Sequence, residues 1–178
     1  MNANPNCEIT RNHKTKEKAV AEFLKRSFPQ LKWICDKRIS NTALSRRRPD
    51  IYVDLGRFVL VVEVDENQHT VYDNSDENKR LQDLQRDIAG KKLMLFRFNP
   101  DQYINEEGDR TGSCWRKDKQ GVCRIVSTKQ REWNERLEIL RSKIDFVYKL
   151  DESKCDKYIF NGTTIDVTEL FFDGDIVI

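Results

Sequence analysis

Hydrophobic positions fall into two periods along the chain. From Thr15, Val20, Phe23, Leu24 and Phe28 recur at helical spacing, with Lys16, Lys18, Lys25 and Arg26 read as lying elsewhere; Thr15 is a plausible N-cap and Pro29 a stop. Leu31–Ile39 reads as a strand rich in β-branched and aromatic residues, and Pro49–Asp54 as a second. Leu55-Gly56-Arg57 turns the chain into Phe58–Asp65, which is apolar on both faces until Glu63 and so predicts a central strand covered on two sides. A polar loop over 66–77 leads to a helix from about Asn78 to Ile88, carrying Leu81, Leu84 and Ile88 on one face and stopping at Gly90. Lys92–Phe98 is a fourth strand, closed by Asn99-Pro100-Asp101.

Residues 101–122 read as a long loop with three glycines, and Val122–Val126 as a short strand. Trp133, Leu137, Leu140, Ile144 and Val147 predict a helix over about Lys129–Leu150. The end reads as a hairpin, Lys157–Phe160 and Thr164–Phe172 about an Asn161-Gly162 turn. The expected organisation is a flexible segment 1–13 and one α/β domain over 14–178. Its core, 14–100, runs α-β-β-β-α-β as a mixed sheet flanked by helices, and 101–178 form a helical and hairpin extension.

A length of 178 residues is enough for a buried core. The mean hydropathy of −0.76, with no apolar run near about 18 residues, excludes a membrane-spanning helix. No basic-then-apolar leader opens the chain, so an intracellular, unsecreted protein of cytoplasm or nucleus is expected. Five cysteines without a CxxC pair, and with no histidine near Cys114 or Cys123, disfavour zinc and suit reduced thiols.

Charge changes the picture most. The net charge of +2 conceals alternating blocks: 12 Lys/Arg against 5 Asp/Glu over 1–50, 7 against 13 over 51–109, 11 against 5 over 110–149 and 2 against 7 over 150–178. Basic segments attract phosphate; an acidic centre repels it unless a cation intervenes.

The acids of that centre are grouped. Asp50 opens the second strand, and Glu63 and Asp65 share one face at the end of the third. The tight turn between these strands brings Asp50 beside Glu63. Carboxylates at the end of a core strand are costly unless satisfied, and a hard divalent cation would satisfy them. His69, just past the strand end, could take a proton from a water, with Asp73 orienting its other nitrogen. Glu17, three and seven residues before Val20 and Leu24, lies at the edge of the buried face of the first helix, either as a helix-dipole partner or as a further ligand.

The set Glu17, Arg48-Pro49-Asp50, Glu63-Val64-Asp65 and His69 resembles the PD-(D/E)XK nuclease superfamily. Within it the set is similar to the branch of very-short-patch-repair endonucleases and EDxHD homing endonucleases, over about residues 14–100. The run from Arg47 to Ile51 and Val62 to His69 also looks like nuclease-like proteins of large DNA viruses and protists. The resemblance implies a restriction-endonuclease-like core and a metal-dependent DNA endonuclease of homing or repair type. Asp50, Glu63 and the Val64 carbonyl would hold Mg²⁺ or Mn²⁺, His69 would act as general base, and Glu17 would position bound waters. The superfamily's lysine would fall at Asp65; Gln68, His69 or Lys79 from the next helix are the alternatives for its role. A degenerate nuclease fold that only binds nucleic acid is the rival expectation.

DNA is the expected partner. Arg46, Arg47 and Arg48 lead directly into Asp50 and suit phosphate contact. Arg116, Lys117 and Lys119 stand beside Trp115, which either stacks on bases or anchors its loop in the core. Two-strand cleavage by one active site would call for a homodimer.

Overall fold

The computed structural model describes residues 15–39, 45–69, 74–119 and 121–174. Its centre is a five-stranded mixed sheet in the order β1-β2-β3-β4-β9. β1 (Ile34–Cys35), β2 (Ile51–Asp54) and β3 (Phe58–Val64) pair antiparallel, whereas β4 (Lys92–Phe98) runs parallel to β3, and β9 (Ile165–Leu170) parallel to β4.

All seven residues of β3 are buried, as a strand covered on both faces requires. Alternation assigns the faces. Phe58, Leu60, Val62 and Val64, with Met94, Phe96 and Phe98, meet α1 (Thr15–Ser27) and α3 (Gln130–Lys149). Val59 and Val61, with Tyr52, Leu93 and Leu95, meet Leu84 of α2 (Asn74–Asp87) and Ile88 just past its end. The element order α1-β1-β2-β3-α2-β4 is the expected one, and the β2–β3 hairpin turns where expected, through Gly56 at φ +80.

Three expectations are corrected. β1 keeps two of the nine residues read as strand, since Asp36 adopts φ 49 and leaves the extended region. The stretch 101–122 is not structureless: β5 (Tyr103–Ile104) pairs with β6 (Arg110–Thr111), and β7 (Trp115–Lys117) with β8 (Cys123–Ile125). The third correction is the largest. Lys157–Phe160 is no strand, and no terminal hairpin forms. The Asp151 carboxylate accepts the Lys154 N–H at 2.8 Å and caps α4 (Glu152–Cys155), which continues as a π-helical turn to Phe160. Asn161 (φ 42) and Gly162 (φ +84) then end a helix instead of turning a hairpin. Phe160 packs edge-on against Phe58, and the strand that follows joins the central sheet beside β4. Phe160 and Leu170 to Phe172 are therefore part of the core.

Among the described residues no helix is long and apolar enough to cross a membrane.

Candidate active site at the end of the third strand

The β2–β3 register pairs Ile51 with Val62, and one step further Asp50 faces Glu63. Both acids lie on the α2 face, with Val59, Val61 and Tyr52 beneath them. Pro49, itself buried, leads in with its φ locked. Asp50 Oδ2 accepts the Val64 N–H at 2.9 Å, and its carboxyl stands beside that of Glu63. Glu63 is 4 % exposed and Asp65 3 %.

Two guanidiniums meet these acids. Arg80 of α2 donates from Nη2 to Glu63 Oε1 at 2.5 Å. Arg97 of β4, which the parallel register sets beside Glu63, donates to Asp65 and to Glu169 (2.7 Å) and lies 3.4 Å from Glu77. Five carboxylates thus share two guanidiniums. Burial drives the Glu63 carboxyl up to about 8 despite Arg80, and burial likewise raises Asp50. The pair retains a proton where isolated carboxylates have lost theirs.

This retention fixes the sign of a pH effect. Above about 4.5, the ordinary glutamate value, the unfolded chain releases a proton that the folded pair keeps until about 8. The native state then binds more protons, so stability falls as pH rises through that window, by at most about 1.4 kcal/mol per pH unit for one proton. Urea unfolding in chelator across the window is expected to show the decline in wild type and a flatter profile in Glu63→Gln. A wild-type profile that rises instead contradicts the assigned proton.

A second polar network adjoins the strand end. Lys16 of α1 lies on the buried stripe with Val20 and Leu24, not off it as expected. Its Nζ reaches both oxygens of buried Asp101 (2.7 and 2.8 Å) and Glu66 Oε2 (3.1 Å). Asp101 also accepts the Asn67 N–H at 3.1 Å and the Ser113 hydroxyl at 2.9 Å. This holds the turn just beyond Asp65, where Asn67 and Gln68 both sit at φ 55, a costly conformation for residues with side chains.

Asp50, Glu63, Val64 and Asp65 are therefore gathered as expected. Glu17 belongs to α1, which packs on the opposite sheet face. The His69 backbone closes the 3-10 turn Glu66–His69, but its side chain, like all of Asp73, lies outside the described residues. Gln68 is corrected: its amide donates to Gln102 O (3.1 Å) and Asp173 Oδ1 (2.8 Å) and accepts the Asp173 N–H, clamping three loops away from the carboxylates. Lys79 is also corrected. It is exposed, and its neighbour Arg80 reaches the acids. The signal was available, because residues 80, 84 and 88 form one helical stripe ending in buried Leu84 and Ile88. Arg97 could have been found by its parity with Leu93 and Leu95 on the Glu63 face.

Of the basic residues, Arg46 and Arg48 are exposed, while Arg47 is tied to Asp83 of α2 at 3.1 Å. Arg116, Lys117 and Lys119 are exposed. Trp115 is corrected as a base-stacking residue: it is buried edge-on against Trp133, centroids 5.1 Å apart, and unavailable to a base.

Among the described residues no set of three or more His, Cys, Asp or Glu side chains is grouped to hold a metal ion. Neither the profile of a known protein family nor a curated protein matches the chain.

Proposed function

We propose that the chain is a metal-dependent DNA endonuclease of the PD-(D/E)XK type, of homing or repair character, hydrolysing phosphodiester bonds. The observation that carries this reading is the Asp50–Glu63 pair: a half-buried and a buried carboxyl, facing one another at the end of a core strand, with Glu63 pushed up to about 8 by burial. Arg80 and the Val64 N–H partner Glu63 and Asp50, yet the two carboxyls still face each other, which is an arrangement a divalent ion stabilises.

Asp50, Glu63 and the main-chain carbonyl of Val64 would hold Mg²⁺ or Mn²⁺; the donors are hard oxygens, and the proton they retain marks the positive charge they lack. When bound, such an ion polarises a phosphate and acidifies a water. The chain's own residues supply the rest. Arg80 fixes one oxygen of Glu63 and, at 30 % side-chain exposure, keeps its guanidinium within reach of solvent, where it can meet a phosphate oxygen in place of the missing lysine. Arg97 holds Asp65 against the sheet. His69 is proposed as the group that receives the proton of the attacking water, and Arg46 and Arg48 as backbone contacts ahead of Asp50.

A second reading is a nucleic-acid-binding module on a degenerate nuclease fold. Arg80 favours it, since a guanidinium already paired to Glu63 partly replaces a cation. Incubation of supercoiled plasmid with Mg²⁺ or Mn²⁺, wild type beside Asp50→Asn, separates the two. Nicked or linear product from wild type alone supports the nuclease. Intact plasmid with metal-independent binding supports the module. Linear product formed with second-order dependence on protein concentration would identify a homodimer.

A further inference from the structure

We infer that the β7–β8 hairpin is a duplex-DNA-docking ribbon, with Arg116 and Arg124 as its paired phosphate contacts; this rests on the nucleic-acid reading above and extends it to a two-stranded geometry and to Arg124, a residue that the sequence did not single out. The register sets Arg116 directly across from Arg124. Both are exposed, Arg124 at 69 % of its side chain. Like charges directly opposite on one face of an antiparallel pair are destabilising. The other face explains why the hairpin nevertheless forms: Trp115, across from Ile125, is buried against Trp133 and anchors the ribbon.

The tip is closed by Asp118, which accepts the Val122 N–H at 2.9 Å and pairs with Arg124 through Nε at 2.8 Å. That bond orients the Arg124 fork. Arg116, Lys117 and Lys119 enter no ion pair among the described residues. Four cations and one acid therefore stand on the eleven residues from Trp115 to Ile125.

The hairpin is also tied to the candidate site. Ser113, two residues before Trp115, bonds Asp101, and Asp101 holds the Asn67 N–H just beyond Asp65. Half-buried Cys123 packs against the same core cluster as Val64 and α1, so the ribbon stands on the α1 face of the sheet. A two-stranded ribbon is narrow enough for the major groove, about 12 Å wide, and paired arginines suit the backbone beside it. Duplex DNA is the partner to which this shape and charge commit.

The test is fluorescence-anisotropy titration of a DNA duplex in chelator, with Asp50→Asn as the parent so that binding is read without cleavage, across about 50 to 200 mM salt. Adding Arg116→Ala and Arg124→Ala is expected to weaken binding about tenfold and to reduce the salt slope by about 2, one contact's worth for each arginine. Adding Lys25→Ala and Arg26→Ala, exposed at the far end of α1, removes the same charge and is expected to change the slope by less than half as much. Thermal melts are expected to show the hairpin variant as stable as its parent, because a like-charge pair has been removed. Equal slopes in the two double variants, unchanged binding in the hairpin variant, or a preference for RNA or single strands overturns the proposal. Plasmid cleavage that survives the hairpin changes at full affinity discards the ribbon and keeps the nuclease; hairpin-dependent binding without metal-dependent cleavage keeps the ribbon and discards the nuclease.

Discussion

Asp50→Asn is expected to lower metal-dependent plasmid cleavage by at least about 10³-fold while leaving the fold intact. Losing a carboxylate that holds a catalytic cation removes several kcal/mol of transition-state stabilisation, and about 4 kcal/mol corresponds to that factor. The structural cost is small because the amide oxygen keeps the acceptor that Asp50 Oδ2 offers the Val64 N–H. The substitution also removes one member of a close acid pair whose carboxyls burial disfavours as anions, so the melting temperature at neutral pH should equal or exceed that of wild type. Asp50→Ala removes the acceptor as well and should cost about 1 kcal/mol of stability for the orphaned N–H. The measurement is a time course of supercoiled plasmid loss in Mg²⁺ and in Mn²⁺, with a melt of each variant. Wild-type rates in a folded Asp50→Asn would remove Asp50 from the chemistry. Equal loss of rate and of fold would make the residue structural.

The second large effect concerns stability. Asp101→Ala is expected to destabilise the protein by about 3 kcal/mol, the low end of the cost of breaking a buried ion pair, since Glu66 remains beside Lys16. Asp101 is 5 % exposed and Lys16 7 %, so solvent does little to screen the pair. Removal of the carboxylate leaves the Lys16 ammonium with only the more exposed Glu66, at 3.1 Å, and takes the acceptor from the Ser113 hydroxyl and from the strained Asn67 turn. The double variant Lys16→Met/Asp101→Leu fills similar volume without a buried charge and should recover much of the loss. Urea unfolding midpoints at constant m read both, and their non-additivity reads the coupling. A loss below about 1 kcal/mol in Asp101→Ala contradicts the weight given to the buried Lys16–Asp101 pair. Because the same network holds the turn after Asp65, plasmid cleavage by the double variant should fall even where stability returns.

Much of this architecture was legible in the residues. The helical stripes from Val20, Leu84 and Trp133, and the two-faced apolar run of β3, each have one period and one solution. The meeting of Asp50 with Glu63 was legible too, since a three-residue turn leaves the hairpin little choice of register. Lys16 was misread and Arg80 overlooked for a shared reason: both lie on buried stripes, and long charged side chains on such stripes turn inward only when a distant acid waits for them. Those acids are Asp101 and Glu63, 85 and 17 residues away.

The Asn161-Gly162 pair shows where local pattern stops being decisive. Its positive φ values serve a hairpin turn and a helix C-cap equally well. The choice belongs to Phe160, which gains an edge-on contact with Phe58 only if the preceding residues are helical. Trp115 follows the same logic, because the partner that buries it, Trp133, sits on a separate helix.

By itself, then, the sequence determined which segments are helix and strand through most of the chain, which faces are apolar, and that two acids would meet at the end of β3; these follow from periods of 3.6 and 2 and from one short turn. Only the tertiary structure decided which cations answer those acids, that the final strand completes the central sheet, and that a basic loop stands as a ribbon on a buried tryptophan. Each of these depends on contacts between segments far apart in the chain, whose pairing is selected by the burial the whole fold achieves.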